Sequence, residues 1–127
     1  MEFIGTQPIY LQIGDYICEN ILLEKWESGE KIPSIRDLAV MTEVNPNTIM
    51  RTYNYLQDRG IIVNQRGIGY FVAEDGSRRT KEMKKKDFIE KELPRFFKNL
   101  DLLEMSLDEL KNLYKEYKET AAKEENV

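Results

Sequence analysis

The chain has no histidine and a single cysteine, Cys18, among its 127 residues. Without histidine, a Ser-His-Asp triad, a Cys-His pair and a histidine-ligated metal are all impossible. One cysteine excludes an intramolecular disulfide framework and every cysteine-cluster zinc site; on an apolar helix Cys18 reads as buried and inert. No apolar run approaches the roughly 20 residues of a membrane span. The N-terminus also lacks the basic-then-apolar layout of a signal peptide, so a cytoplasmic protein is expected. Carboxylates are plentiful but scattered among lysines at helical spacings, the pattern of solvated faces rather than of a paired acid–base site. The composition points away from an enzyme, and neither metal nor cofactor is expected.

What is present suits one ordinary domain, or a small domain with an appendage: 41% hydrophobic and 33% charged residues, enough apolar content to build a core. The net charge of -4 argues against nucleic acid as a total, but its distribution argues otherwise. From Lys31 to Tyr70 the basic residues Lys31, Arg36, Arg51, Arg59 and Arg66 outnumber the acidic Asp37, Glu43 and Asp58. Acid is concentrated in the first helix and its exit. A local basic patch binds phosphate even on an acidic protein, with weaker long-range steering.

Periodicity predicts three helices and a hairpin in residues 1–75. "PIYLQIGDYICENILLEKW" opens with Pro8, and Ile9, Ile13, Ile17 and Ile21 recur every four residues as a core-facing stripe. After "ESGEKIPS", a short second helix starts at Ser34 with Asp37 three residues on, a capping-box-like start; Ile35, Leu38, Ala39 and Met41 supply its apolar side. The third, "NPNTIMRTYNYLQDRG", has Asn45 as N-cap, Pro46 at the first helical position and Gly60 as its stop, with Ile49, Tyr53 and Leu56 facing inward. Ile61–Val63 and Tyr70–Val72 are β-prone runs flanking a turn with Gly67 and Gly69. The fold class is mainly α with a small β-hairpin, in the winged helix-turn-helix arrangement.

Residues 76–127 read differently. Glu74–Arg79 is a polar linker, beyond which composition shifts to charged helix, and the basic run Arg78, Arg79, Lys81 and Lys84–Lys86 reads as solvated rather than as a track for the DNA backbone. Beyond it Ile89, Leu93, Phe96, Leu100 and Leu103 step by four, three, four and three, a coiled-coil-like seam that Pro94 should kink. Ser106 with Glu109 starts a last helix, whose seam includes Leu110, Leu113 and Tyr117. Two amphipathic helices of this size cannot make a self-sufficient core. The economical partner is the same pair from a second chain, which makes the segment a two-helix dimerisation appendage.

In a helix-turn-helix the second helix of the motif enters the major groove, its N-terminal residues at base edges. Here that helix shows Asn47, Thr48 and Arg51 outward; asparagine and arginine suit bidentate pairing with adenine and guanine. Ser34 and Arg36 occupy the first turn of the preceding helix, where a contact to the DNA backbone is expected. Arg66 at the hairpin tip suits the minor groove, and Gly67 beside it allows close approach. Capping remains the first job of Asn45 and Ser34. The competing function is a winged helix used for protein–protein contact, such as an antitoxin-like module, though such an interface would favour aromatic and aliphatic residues over this polar display.

The blocks "PIYLQI", "GEKIPSIRDLA", "VNPNTIMRTYNYL" and "RGIGYFV", in that order over residues 8–73, resemble the GntR family of bacterial transcription regulators, and the short C-terminal part resembles its YtrA-type subfamily. The resemblance implies a homodimeric, sequence-specific regulator, a repressor, that binds a near-palindromic double-stranded operator. It implies DNA contacts at Arg36, Asn45, Asn47, Thr48, Arg51, Arg66 and Gly67, and dimerisation through two helices after the wing. Pro46 stands where many relatives have arginine or serine, so the base preference should differ. Glu24 falls where a glycine commonly ends the first helix, which is expected to run on towards Trp26. So short an appendage leaves little room for a small-molecule effector, and none is expected.

Overall fold

The computed structural model describes Phe3 and residues 5–125. The chain divides into two compact units, residues 1–85 and 86–127. The division falls ten residues later than the 75/76 boundary expected from composition.

In the first unit, α1 (Ile9–Leu22) buries Ile13, Gly14, Ile17, Cys18 and Ile21. Ile9, at the open end of that stripe, is exposed. The helix does not run on to Trp26. Glu24 takes a left-handed conformation with φ 58°, the job a glycine commonly does. The chain then doubles back, and the N–H groups of Lys25 and Trp26 donate to the Asn20 carbonyl at 2.9 and 3.2 Å.

Helix α2 (Ile35–Thr42) is capped as expected, Ser34 Oγ accepting from the Asp37 N–H at 3.1 Å. Its buried side is Leu38, Ala39 and Thr42, not Met41, which is exposed together with Val40. Thr42 is tolerated there because its hydroxyl donates to the Leu38 carbonyl at 2.7 Å. Helix α3 (Pro46–Asp58) buries Ile49, Thr52, Tyr53 and Leu56 against α1 and α2. Truncating a fully buried residue such as Leu56 to alanine would cost about 2–5 kcal/mol.

Strands β1 (Ile62–Gln65) and β2 (Gly69–Val72) pair antiparallel, Ile62 with Val72 through Gln65 with Gly69. Residues before α2 extend the sheet: Gly29 and Ile32 donate to the Val72 and Tyr70 carbonyls, and Val72 donates to that of Glu30, each at 2.9 Å. The wing is thereby tied at its root to the approach to α2.

The expected linker Glu74–Arg79 gives way to helix already at Gly76, where α4 (Gly76–Asp87) begins, with Gly76 and Thr80 buried and Met83 packed on the core. Gly76 is required by close approach, since a Cβ there would lie 2.6 Å from Val72 Cγ1 and 2.9 Å from the Ile61 carbonyl oxygen. The expected solvated basic run is instead partly paired: Arg78 with Asp75 and Glu82, Arg79 with Asp75, and Lys84 with Asp15 of α1.

In the second unit the end of α4 runs into a π-helical turn, Phe88–Glu92, followed by α5 (Leu93–Leu102) and α6 (Leu107–Glu125). The irregular turn lies immediately before Pro94, where a proline's missing N–H interrupts regular bonding. Ser106 Oγ accepts from the Glu109 N–H at 3.1 Å and caps α6. Leu100 is buried, Leu93 and Leu110 are half-buried, and Ile89, Phe96, Leu103, Leu113 and Tyr117 are exposed. Among the described residues no helix is long and apolar enough to cross a membrane.

Candidate nucleic-acid interface

The start of α3 is built by Asn45 and Pro46. Asn45 Oδ1 accepts from the Asn47 N–H at 2.8 Å, satisfying one of the donors that a helix start leaves open. With Ile49, Thr52, Tyr53 and Leu56 buried, Asn47 and Arg51 fall on the opposite side, one turn apart and exposed. Thr48 is half-buried, and its carbonyl oxygen lies 3.1 Å from the Thr52 hydroxyl oxygen. The exposed stripe continues beyond the residues expected from the sequence: Met50 and Asn54 lie three residues on from Asn47 and Arg51, and Asp58 lies four beyond Asn54. That same spacing was available in the sequence and marks Asn54 as a further polar group on the outer face.

Ser34 and Arg36 stand exposed at the first turn of α2. Their position is fixed by the core: the buried Tyr53 of α3 donates its hydroxyl to the Pro33 carbonyl at 2.6 Å. Burial pushes the Tyr53 hydroxyl far above its ordinary pKa, with the neighbouring Tyr70 and Asp37 acting in the same direction. It therefore remains a donor at neutral pH.

At the wing tip, Ile68 N–H donates to the Gln65 carbonyl at 2.9 Å, closing a tight turn over Arg66 and Gly67. Gly67 has φ 79° at the third turn position, which a type II turn reserves for positive φ. Nothing lies within 4 Å of where its Cβ would be, so the tip is open. Arg66, Gly67 and the apolar Ile68 are all exposed there. Lys31 also belongs to the wing, because its side chain crosses β2 at Gly69, where a Cβ would meet Lys31 Cε at 2.9 Å. Sequence reasoning counted Lys31 only as charge.

The arrangement presents amide, hydroxyl and guanidinium groups from α2, α3 and the wing on a scaffold with one continuous core. Among the described residues no group of three or more Cys, Asp or Glu is placed to hold a metal ion. The second unit carries an open apolar groove of about 540 Å³, lined by Phe96, Leu107, Leu110, Lys111, Leu113 and Tyr114.

Residues 9–72, just over half the chain, match the sequence family described as "Bacterial regulatory proteins, gntR family". The chain belongs to the GntR family. In Bacillus subtilis, the HTH-type transcriptional regulator YhcF is 45% identical over 73 residues (58% of this chain, 60% of that one), and the HTH-type transcriptional repressor YtrA is 38% identical over 71 residues (56% and 55%). The chain thus spans less than two thirds of the length of these curated relatives.

Over 90% of this GntR chain the fold is similar to a GntR-family transcriptional regulator from Bacteroides thetaiotaomicron, with 41% identity, a TM-score of 0.73 and 99% of that chain covered. The DNA-binding domain of AraR, solved in complex with operator ORR3, is 28% identical with a TM-score of 0.51, covering 57% of this chain and 92% of that one. The winged-helix reading of the first unit follows from this membership.

Proposed function

We propose that this GntR-family chain is a homodimeric transcription regulator of the repressor type that binds a near-palindromic double-stranded operator. The observation that carries the reading is the exposed polar set on the winged fold: Ser34, Arg36, Asn45, Asn47, Arg51, Arg66 and Gly67. In this reading Asn47, Thr48 and Arg51 face base edges in the major groove, Ser34 and Arg36 hold the DNA backbone, and Arg66 with Gly67 enters the minor groove. The likeness to AraR, whose domain was solved on an operator, supports a DNA partner. The name of YtrA supports repression.

Dimerisation is proposed through the seam of the second unit: Ile89, Leu93, Phe96, Leu100, Leu103, Leu110, Leu113 and Tyr117. Five of these eight are exposed in the single chain, and apolar faces of that kind mark interaction surfaces. A second copy would cover them and bring two α3 helices to half-sites about 34 Å apart.

The test is a salt titration of binding to duplex DNA from the chain's own promoter. A specific site resists competitor DNA, and the log–log slope reflects several neutralised phosphates. The protein–protein reading draws on the exposed Val40 and Met41 of α2. Binding with no preference among promoter sequences would favour it.

A further inference from the structure

Arg51 does not project freely from α3. Its guanidinium carbon lies 3.9 Å from the centroid of the Tyr10 ring, within the range of cation–π stacking. Tyr10 meets Tyr55 edge-on, with centroids 6.1 Å apart and planes at 79°. Tyr55 carries Arg59 on its own ring at 3.6 Å. The root of Tyr10 is fixed separately, because its backbone carbonyl accepts the Thr52 hydroxyl at 2.7 Å. Replacing the Tyr10 side chain would leave that bond in place.

We infer that Tyr10, on α1, is a positioning residue for DNA reading: its ring orients the Arg51 guanidinium before DNA arrives. This rests on the DNA-reading function proposed above. A free arginine side chain carries about 2 kcal/mol of rotamer entropy, and ordering such a chain on binding weakens the complex. Stacking on a ring whose backbone is bonded to α3 meets part of that cost in the free protein. The arginine face turned away from the ring, and its edge N–H groups, remain available to a base or phosphate.

The experiment compares the wild type, Tyr10→Phe, Tyr10→Leu, Tyr10→Met, Arg51→Ala and the double variants of Arg51→Ala with Tyr10→Leu and with Tyr10→Met. Each is titrated against promoter duplex and against a scrambled duplex of equal length, with melting curves recorded alongside. Tyr10→Phe keeps the ring and should bind within about twofold of wild type. Tyr10→Leu and Tyr10→Met keep apolar bulk without a π face, so a folding defect in one leaves the other to decide. Each should weaken promoter binding about three- to tenfold, and add nothing once Arg51 is alanine.

An equal loss in the Arg51→Ala background would reduce Tyr10 to packing and overturn the inference while leaving DNA recognition intact. Tighter binding by Tyr10→Leu would mean that the ring competes with DNA for the guanidinium, which also overturns it. If the wild type itself shows no promoter preference, the DNA-reading function fails and takes the inference with it.

Discussion

The Tyr53 hydroxyl, 2.6 Å from the Pro33 carbonyl oxygen, joins the middle of the third helix to the turn that launches the second. The same ring meets Tyr70 of the wing edge-on, with centroids 4.8 Å apart and planes at 73°. One buried side chain therefore touches all three parts that display the candidate DNA-facing groups. In a close-packed interior such a residue transmits position as well as stability.

Tyr53→Phe removes only the oxygen and leaves the Pro33 carbonyl without that donor. The expected cost is about 1–2 kcal/mol, read as a lower urea midpoint with an unchanged slope. Promoter affinity should fall as well, because Ser34 and Arg36 lose their tether. Unchanged stability would show that water replaces the hydroxyl without loss.

Cys18 makes stability depend on pH on the alkaline side. Burial pushes its thiol up from 9.0 to about 11; the nearby Lys84 opposes this shift and Asp15 adds to it. A group whose pKa is raised by folding contributes stability that is complete below the unfolded value and declines as pH rises through the folded one. Urea denaturation of the wild type should therefore give falling midpoints from pH 9 towards 11. Cys18→Ala, less stable overall because of the cavity it leaves, should show a shallower decline over that interval. Identical slopes would mean that the thiol does not titrate there.

Arg51→Ala should weaken operator binding by about 1–3 kcal/mol and relax the preference at one base pair, if the guanidinium reads a base. Measured on operator and random duplex, the loss should be confined largely to the operator. An equal loss on both would make Arg51 a phosphate contact.

The dimer seam can be broken from the surface. Phe96 and Leu113 are exposed in the single chain, so Phe96→Glu and Leu113→Glu should leave the fold standing while burying charge in the proposed interface. Sedimentation should give a dimer for the wild type and a monomer for the double variant. A dimer that survives both changes would remove this seam from the account.

Local chemistry made most of the first unit legible. Ser34, Asn45, Pro46 and Gly60 punctuate helices by rules that act within four residues, and α2, α3 and the hairpin followed them closely. The reading of Glu74–Arg79 as a linker missed the start of α4 at Gly76, because that helix is held by packing and pairing outside its own run: Gly76 against Val72 and Ile61, Lys84 against Asp15. A charged run shows no apolar period when small residues make the close contacts. The early end of α1 was missed for a related reason, since Glu24 accepts a conformation its type disfavours. Of the candidate site, Asn47, Arg51, Arg36 and Arg66 were readable from helix phase and turn position. The Tyr10–Arg51 stack was not, because it joins residues 41 positions apart in the chain.

The central claim is that this surface reads a specific duplex sequence in two symmetric halves. Selection of full-length protein on a random pool of duplexes tests it most directly. The account predicts enrichment of one near-palindromic sequence, its half-sites centred about one helical turn apart, with enrichment reduced for Asn47→Ala and Arg51→Ala. Recovery of no sequence above the starting pool, at salt low enough to permit binding, would contradict it.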